Sequence, residues 1–335
     1  MRGWWLLLPA VACKGGDGDA TDTTVDGVPV GDDDDDDDAP WPNTCTSVGP
    51  DAPNPGPVPD EDVAGTFEGF ATYVWIPEHT RGLVVYLHGG ADVAEIAQTE
   101  PAFLFTFLYT EGFGLVATQR TGPGPEAMWD TTPSIDRNAD AARIERLLAQ
   151  VRADHGLPDD VPIVTAGFSD GAIGAMALAR IGVDEGWPVV ASLVHSGAYS
   201  TQGSTVPTLL LTGENDNPQS PQQVVDQLTR QGVRAEWIEQ PERLAEPETF
   251  LRNPSWDLAK GQEAVDDLVA LGMIDASGAR LVPDANLDQA LRLYGENSTF
   301  MGATLTEARL RVLWATHRVS AYSADEECRF ILDSL

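Results

Sequence analysis

The sequence predicts an α/β fold: one mostly parallel sheet with helices on both faces. Three observations predict it. Apolar runs of strand length recur at residues 83–87, 161–166, 189–194 and 208–211, and they are largely continuous, as strands covered on both faces require. Helix-length stretches at residues 135–155, 172–181 and 221–231 alternate with them. A Gly-x-Ser-x-Gly pentapeptide falls at one junction between such a strand and such a helix. Strands alternating with helices imply parallel pairing through right-handed crossovers, which covers both faces of the sheet.

Taken in order, residues 65–77 alternate as early antiparallel strands do, with Phe67, Phe70, Tyr73 and Trp75 prominent. Residues 83–87 form a buried strand that runs into His88-Gly89-Gly90, followed by a helix-length stretch through Tyr109. The next short strand is 114–118. Within 135–155, Ile144, Leu147, Leu148 and Val151 recur at helical spacing. Strand 161–166, the Ala-rich helix 172–181, strands 189–194 and 208–211, helix 221–231 and a short strand at 235–238 follow. Residues 241–310 interrupt the alternation, with amphipathic stretches near 263–271 and 287–293, and read as an inserted helical lid. A last helix covers 325–335, so the domain spans 61–335, with no internal repeat.

The chain has 335 residues and a formal charge of −33, which excludes nucleic acid and anionic lipid headgroups as partners. Much of that charge is local: residues 14–62 hold fifteen acidic side chains and one lysine. Lysine occurs only at Lys14 and Lys260. A salty habitat and a GC-rich genome both fit so few lysines, and genome composition alone accounts for the preference for Arg.

Met1-Arg2-Gly3 carries one positive side chain, residues 4–12 are apolar, and Cys13 follows. That run is too short to span a bilayer but fits a signal segment over residues 1–13. Ala10-Val11-Ala12-Cys13 resembles a bacterial lipobox, with Ala10 where Leu is usual, and marks Cys13 for lipidation. An ordinary signal peptide is the alternative. Residues 14–60, rich in Gly, Asp, Thr and Pro with an unbroken acidic run at 32–38, have too little apolar surface to fold and are expected as a disordered tether. The acidic run lacks the alternating ligands and turn Gly of a calcium loop. The expected location is the bacterial cell envelope, lipid-anchored, or else secreted or periplasmic. Cys45 and Cys328 remain, to pair in an oxidising compartment or stay as free thiols.

Gly167-Phe168-Ser169-Asp170-Gly171 is the motif that carries chemistry. A serine on a sharp strand-to-helix turn holds its hydroxyl above the sheet edge, and the flanking glycines keep neighbouring backbone from colliding with it. The two glycines of His88-Gly89-Gly90 leave N–H groups free to meet an oxyanion, and the N–H of Asp170 would join them. His88 reads as a structural member of that loop. An acid should follow a later strand: Asp216, after Thr212-Gly213, is the choice, with Glu214 the runner-up. The base must be an imidazole. His79 and His155 lie in loops away from strand carboxyl ends. His195 ends a strand, but the chain order Ser, acid, His selects His317, the only histidine after Asp216. Met128 and Trp129 are candidates to line a pocket, with a core or surface role the equal alternative. No His/Cys ligand spacing appears, so neither metal nor organic cofactor is implied.

With these pieces in place, the chain resembles the α/β-hydrolase superfamily, particularly its secreted esterases and polyester-depolymerase-like lipoproteins. The resemblance rests on the His88 loop, residues 167–171, residues 213–216 and His317 before a terminal helix, and covers about residues 61–240 and 311–335. It implies an eight-stranded, mostly parallel sheet and a Ser169–His317–Asp216 triad. It departs from the family in the long stretch between the last strand and the histidine, and in the helix-like residues 307–315 just before it. The function expected is hydrolysis of a small or polymeric carboxylic ester by a monomer that meets the membrane only through its lipid. Peptidase or amidase activity, or a non-catalytic binding role on the same fold, are the alternatives.

Overall fold

The computed structural model describes Cys45 and residues 64–90, 99–122, 127–197, 204–216, 221–252, 256–298, 302–317 and 319–335. The expected signal segment, Cys13, and the tether apart from Cys45 lie outside the described residues. Eight strands form one sheet: β1 (Ala64–Phe67), β2 (Phe70–Trp75), β3 (Gly82–Leu87), β4 (Phe113–Thr118), β5 (Ile163–Phe168), β6 (Val189–His195), β7 (Thr208–Gly213) and β8 (Ala235–Gln240). Their spatial order is β1-β2-β4-β3-β5-β6-β7-β8. β1 pairs β2, and β2 pairs β4, antiparallel; every pairing from β4 through β8 is parallel. This is the mostly parallel α/β architecture that the sequence predicts, with the eight strands that the resemblance implies.

The continuous apolar runs are explained by cover on both faces. Every residue of β3, β4, β5 and β7 is buried. On one face, Val84, Tyr86, Leu115, Ala117, Val164 and Leu209 pack against α1 (Thr99–Thr110) and α8 (Ala324–Leu332). On the other, Leu83, Val85, Leu87 and Ile163 meet α2 (Ala139–His155) and α3 (Asp170–Asp184). Ala172, Ala175 and Ala179 are wholly buried, so α3 lies close against the sheet. α4 (Pro221–Arg230) places Val224 and Leu228 beneath Val194 and Leu210. Each large aliphatic side chain so enclosed contributes about 1.5–3 kcal/mol.

Helical periodicity across residues 135–155 conceals one break. Ile135–Arg137 is a 3-10 turn, and α2 starts only at Ala139 because Asn138 accepts the Ala141 N–H at 2.8 Å and caps it. Among the described residues, those beyond β8 do not extend the sheet. They form α5 (Leu258–Ala270), α6 (Leu287–Asn297) and α7 (Ala303–Leu313) around a separate core of Phe250, Leu268, Ile274, Leu291, Leu310 and Trp314. α7 accounts for the helix-like residues before His317. Cys45 and Cys328 form a disulfide that closes a sequence separation of 283 residues.

Register sets the stage for the site. Leu87 pairs Gly167, Phe168 pairs His195, and His195 pairs Leu211. The carboxyl ends of β3, β5, β6 and β7 therefore finish side by side, and the loops after them share one edge of the sheet.

Candidate active site

Ser169 leaves β5 on a turn that only a tight surrounding can sustain. Its backbone sits at φ 58°, ψ −118°, a left-handed conformation unusual for a residue other than glycine. The Ser169 N–H donates to His195 O at 3.0 Å, and the Ala172 N–H donates to Ser169 O at 3.1 Å. The flanking glycines are sterically obligatory. A Cβ on Gly167 would stand 2.1 Å from Gly171 O, and one on Gly171 would stand 2.1 Å from Leu87 O. α3 begins at Asp170, so the positive end of its dipole faces the region of the serine.

Three loops far apart in sequence converge here. Ser169 Oγ lies 2.9 Å from His317 Nε2, and His317 Nδ1 lies 3.1 Å from Asp216 Oδ1. The tautomer that satisfies both contacts places the proton on Nδ1, donating to the carboxylate, and leaves the Nε2 lone pair for the serine hydroxyl. Asp216 is nearly enclosed, its side chain 6% exposed, whereas the His317 side chain is 49% exposed. The imidazole thus rests its N–H donor side against a sheltered carboxylate and presents its rim to solvent. Phe168 packs against the ring, centroids 5.0 Å apart.

The runner-up candidates have other occupations. Glu214 accepts the Glu242 N–H at 3.0 Å. His195 is 2% exposed, with Nε2 3.3 Å from Glu327 Oε2 of α8, a packed side chain behind the turn. His88 places Nδ1 2.6 Å from Gly89 O. Trp129 is buried, its indole N–H donating to His88 O at 2.8 Å, while Met128 is exposed. Gly89 and Gly90 follow β3 after His88, and a Cβ on Gly89 would stand 2.8 Å from the Phe168 ring. Burial raises the Asp170 carboxyl above the ordinary aspartate range, opposed by Arg120 and by the helix N–H groups. Among the described residues, no group of His, Cys, Asp and Glu stands ready to hold a metal ion.

How His317 reaches the serine after so long an insertion depends on a residue that sequence reasoning missed. Asn215, beside the acid, donates its backbone N–H to Ala315 O at 3.0 Å and its side-chain Nδ2 to Trp314 O at 2.9 Å. The acid turn thereby grips the two residues that lead into the base loop. Gly213 permits the approach, since a Cβ there would stand 2.0 Å from Ala315 O. Ala315 itself takes φ 48°, and Thr316 closes the turn through its N–H and hydroxyl, both onto Arg311 O. Asn215 also donates to Glu242 at 3.1 Å, and Arg280 of the insertion forks onto that carboxylate at 2.9 and 2.7 Å. An asparagine in a Gly-rich turn signals a loop, but nothing in the sequence names partners about a hundred residues away.

No family model matches the chain, and no curated protein matches it in sequence. Solved structures do resemble it. A hyperthermophilic esterase of the archaeon Pyrobaculum calidifontis is 17% identical over 60% of this chain and 80% of that one, with a TM-score of 0.41. A carboxylesterase from Mesorhizobium loti is 16% identical over 56% of this chain and 95% of that one, with a TM-score of 0.39. An esterase of Pyrococcus furiosus is 15% identical over 56% and 89%, with a TM-score of 0.41. Likenesses this distant assign no role to any side chain described above.

Proposed function

We propose that this chain is a serine hydrolase that cleaves carboxylic esters through an acyl-enzyme. The observation that carries the reading is the contact series Ser169 Oγ–His317 Nε2 and His317 Nδ1–Asp216 Oδ1, assembled from residues 148 and 101 positions apart. In this reading His317 takes the Ser169 proton as the oxygen attacks the ester carbonyl, and Asp216 orients the ring and stabilises its charged form. The N–H groups of Gly89, Gly90 and Asp170 receive the oxyanion. His317 returns the proton to the departing alcohol, then activates water against the acyl-enzyme, and the carboxylic acid leaves.

The test compares wild type, Ser169→Ala and His317→Ala on short-chain p-nitrophenyl esters and on the matching anilides. Wild type should turn over the esters, and either substitution should lower kcat by about 10⁴–10⁶-fold. A wild type inert on esters sinks the reading, and one that prefers the anilides moves it to an amidase. Activity that survives His317→Ala but vanishes in His195→Ala would move the base to His195. Anchorage at the cell envelope through Cys13, with residues 14–60 as tether, belongs to the same proposal. Radiolabelled palmitate should enter the parent and not Cys13→Ser, and an unlabelled parent rejects it.

A further inference from the structure

Arg120 lies two residues beyond β4, and its side chain is 4% exposed. A charge so enclosed costs several kcal/mol unless it is matched, so what it touches is informative. Nη1 donates to Gly89 O at 3.1 Å and to Asp170 Oδ2 at 3.3 Å, and Nη2 donates to Gly90 O at 3.4 Å. Gly89 O also lies 2.6 Å from His88 Nδ1, and His88 O accepts from Trp129. The carbonyls of residues 88, 89 and 90 are therefore each held by a buried side chain.

A trans peptide keeps its N–H opposite its C=O. Holding His88 O aims the Gly89 N–H, and holding Gly89 O aims the Gly90 N–H, each away from the group that holds the carbonyl. Without those holds, consecutive glycines would be free to rotate these N–H groups elsewhere. The same guanidinium grips the carboxylate of Asp170, the residue after the nucleophile and the first of α3. One side chain thus ties the loop after β3 to the turn after β5. Arg120 is steadied in turn by Asp140, whose two carboxylate oxygens accept the N–H groups of Thr121 at 2.6 Å and Asp130 at 2.9 Å.

We propose that Arg120 is a positioning residue for the oxyanion-binding N–H of Gly90, locking the Gly89-Gly90 loop onto the turn that carries Ser169. This rests on the ester-hydrolase reading above. It requires a fork: a lysine ammonium at the same place could meet Asp170 but could not spread across two successive carbonyls.

The experiment measures p-nitrophenyl acetate hydrolysis by wild type, Arg120→Gln and Arg120→Lys. Rates are normalised to competent sites by the p-nitrophenol burst with diethyl p-nitrophenyl phosphate. Phenylboronic acid serves as a tetrahedral mimic. Both variants should lose about 10–10³-fold in kcat per competent site with KM within about threefold, and boronate inhibition should weaken by a comparable factor. Arg120→Lys keeps the buried charge, so the comparison stands even if Arg120→Gln folds poorly. Wild-type kcat per competent site in Arg120→Lys overturns the positioning role and leaves the ester reading intact. A loss expressed wholly in the number of competent sites overturns it as well, because a merely structural arginine would behave that way. A wild type without ester turnover overturns the reading and this role together.

Discussion

Asn215→Ala tests the joint between the acid turn and the base loop. The substitution keeps the Asn215 N–H bond to Ala315 O but removes both side-chain bonds, to Trp314 O and to Glu242. The second loss is small, since Glu242 retains the Arg280 fork. The first is larger, because Trp314 is wholly buried and its carbonyl would lose the side-chain donor that meets it. Leaving a buried acceptor unpaired costs about 1–3 kcal/mol. For a domain of this size that lowers Tm by roughly 2–10 °C. The kinetic effect should exceed the stability effect. Trp314 stands three residues before His317, and a displacement of about 1 Å in a catalytic group costs on the order of 100-fold in rate. Melting curves and ester kinetics on one preparation therefore give the answer: a modest fall in Tm, a kcat reduced about 10–100-fold, and a KM little changed. A variant that loses the stability yet keeps wild-type kcat shows that the joint merely supports the fold.

Two further outcomes follow from the fold and the site. Reduction of the Cys45–Cys328 bond, or Cys45→Ser, should lower stability by roughly 2–5 kcal/mol because it releases a very long loop, while kcat below the melting range is unchanged; an unaltered urea midpoint after complete reduction rules this out. The raised Asp170 carboxyl gives a pH signature. A native pKa above the unfolded one means that the unfolded chain gives up this proton first, so wild type loses stability as pH rises from the unfolded value through the folded one. Asp170→Asn lacks that titration. Its stability relative to wild type should climb across the same window in urea melts, and a difference flat with pH counts against the burial argument.

Most of the architecture was legible because burial on both faces writes itself as continuous apolar runs. Residues 83–87 and 208–211 have no polar face to disguise them, and their strands extend further at one end only, by one and two residues. Helix boundaries were less legible where a polar cap interrupts an unbroken period, as Asn138 does ahead of α2. At the site, Ser169, Asp216 and His317 could be nominated because chain order and strand ends constrain them. Asn215 and Arg120 could not. Each acts through bonds to backbone carbonyls, and a carbonyl carries no residue identity for a pattern to match. Arg120 shows the difficulty, since its partners lie thirty to fifty positions away and two of the three are main-chain oxygens. The insertion was visible as a break in alternation with two amphipathic stretches, but not its packing, because its core forms among three short helices and not against the sheet.

The disulfide also decides how the domain bears force. Cys45 precedes β1, an edge strand paired only with β2, and edge strands peel one hydrogen bond at a time. A pull applied upstream of Cys45 need not load that edge. It crosses two sulfurs to Cys328 in α8, where Phe330 and Ile331 are anchored in the core beneath the central strands. Traction is thereby delivered to a helix packed in the core, and the covalent route bypasses everything between Cys45 and the sheet. Load entering ahead of Cys45 would reach the core first for as long as that bridge stayed oxidised.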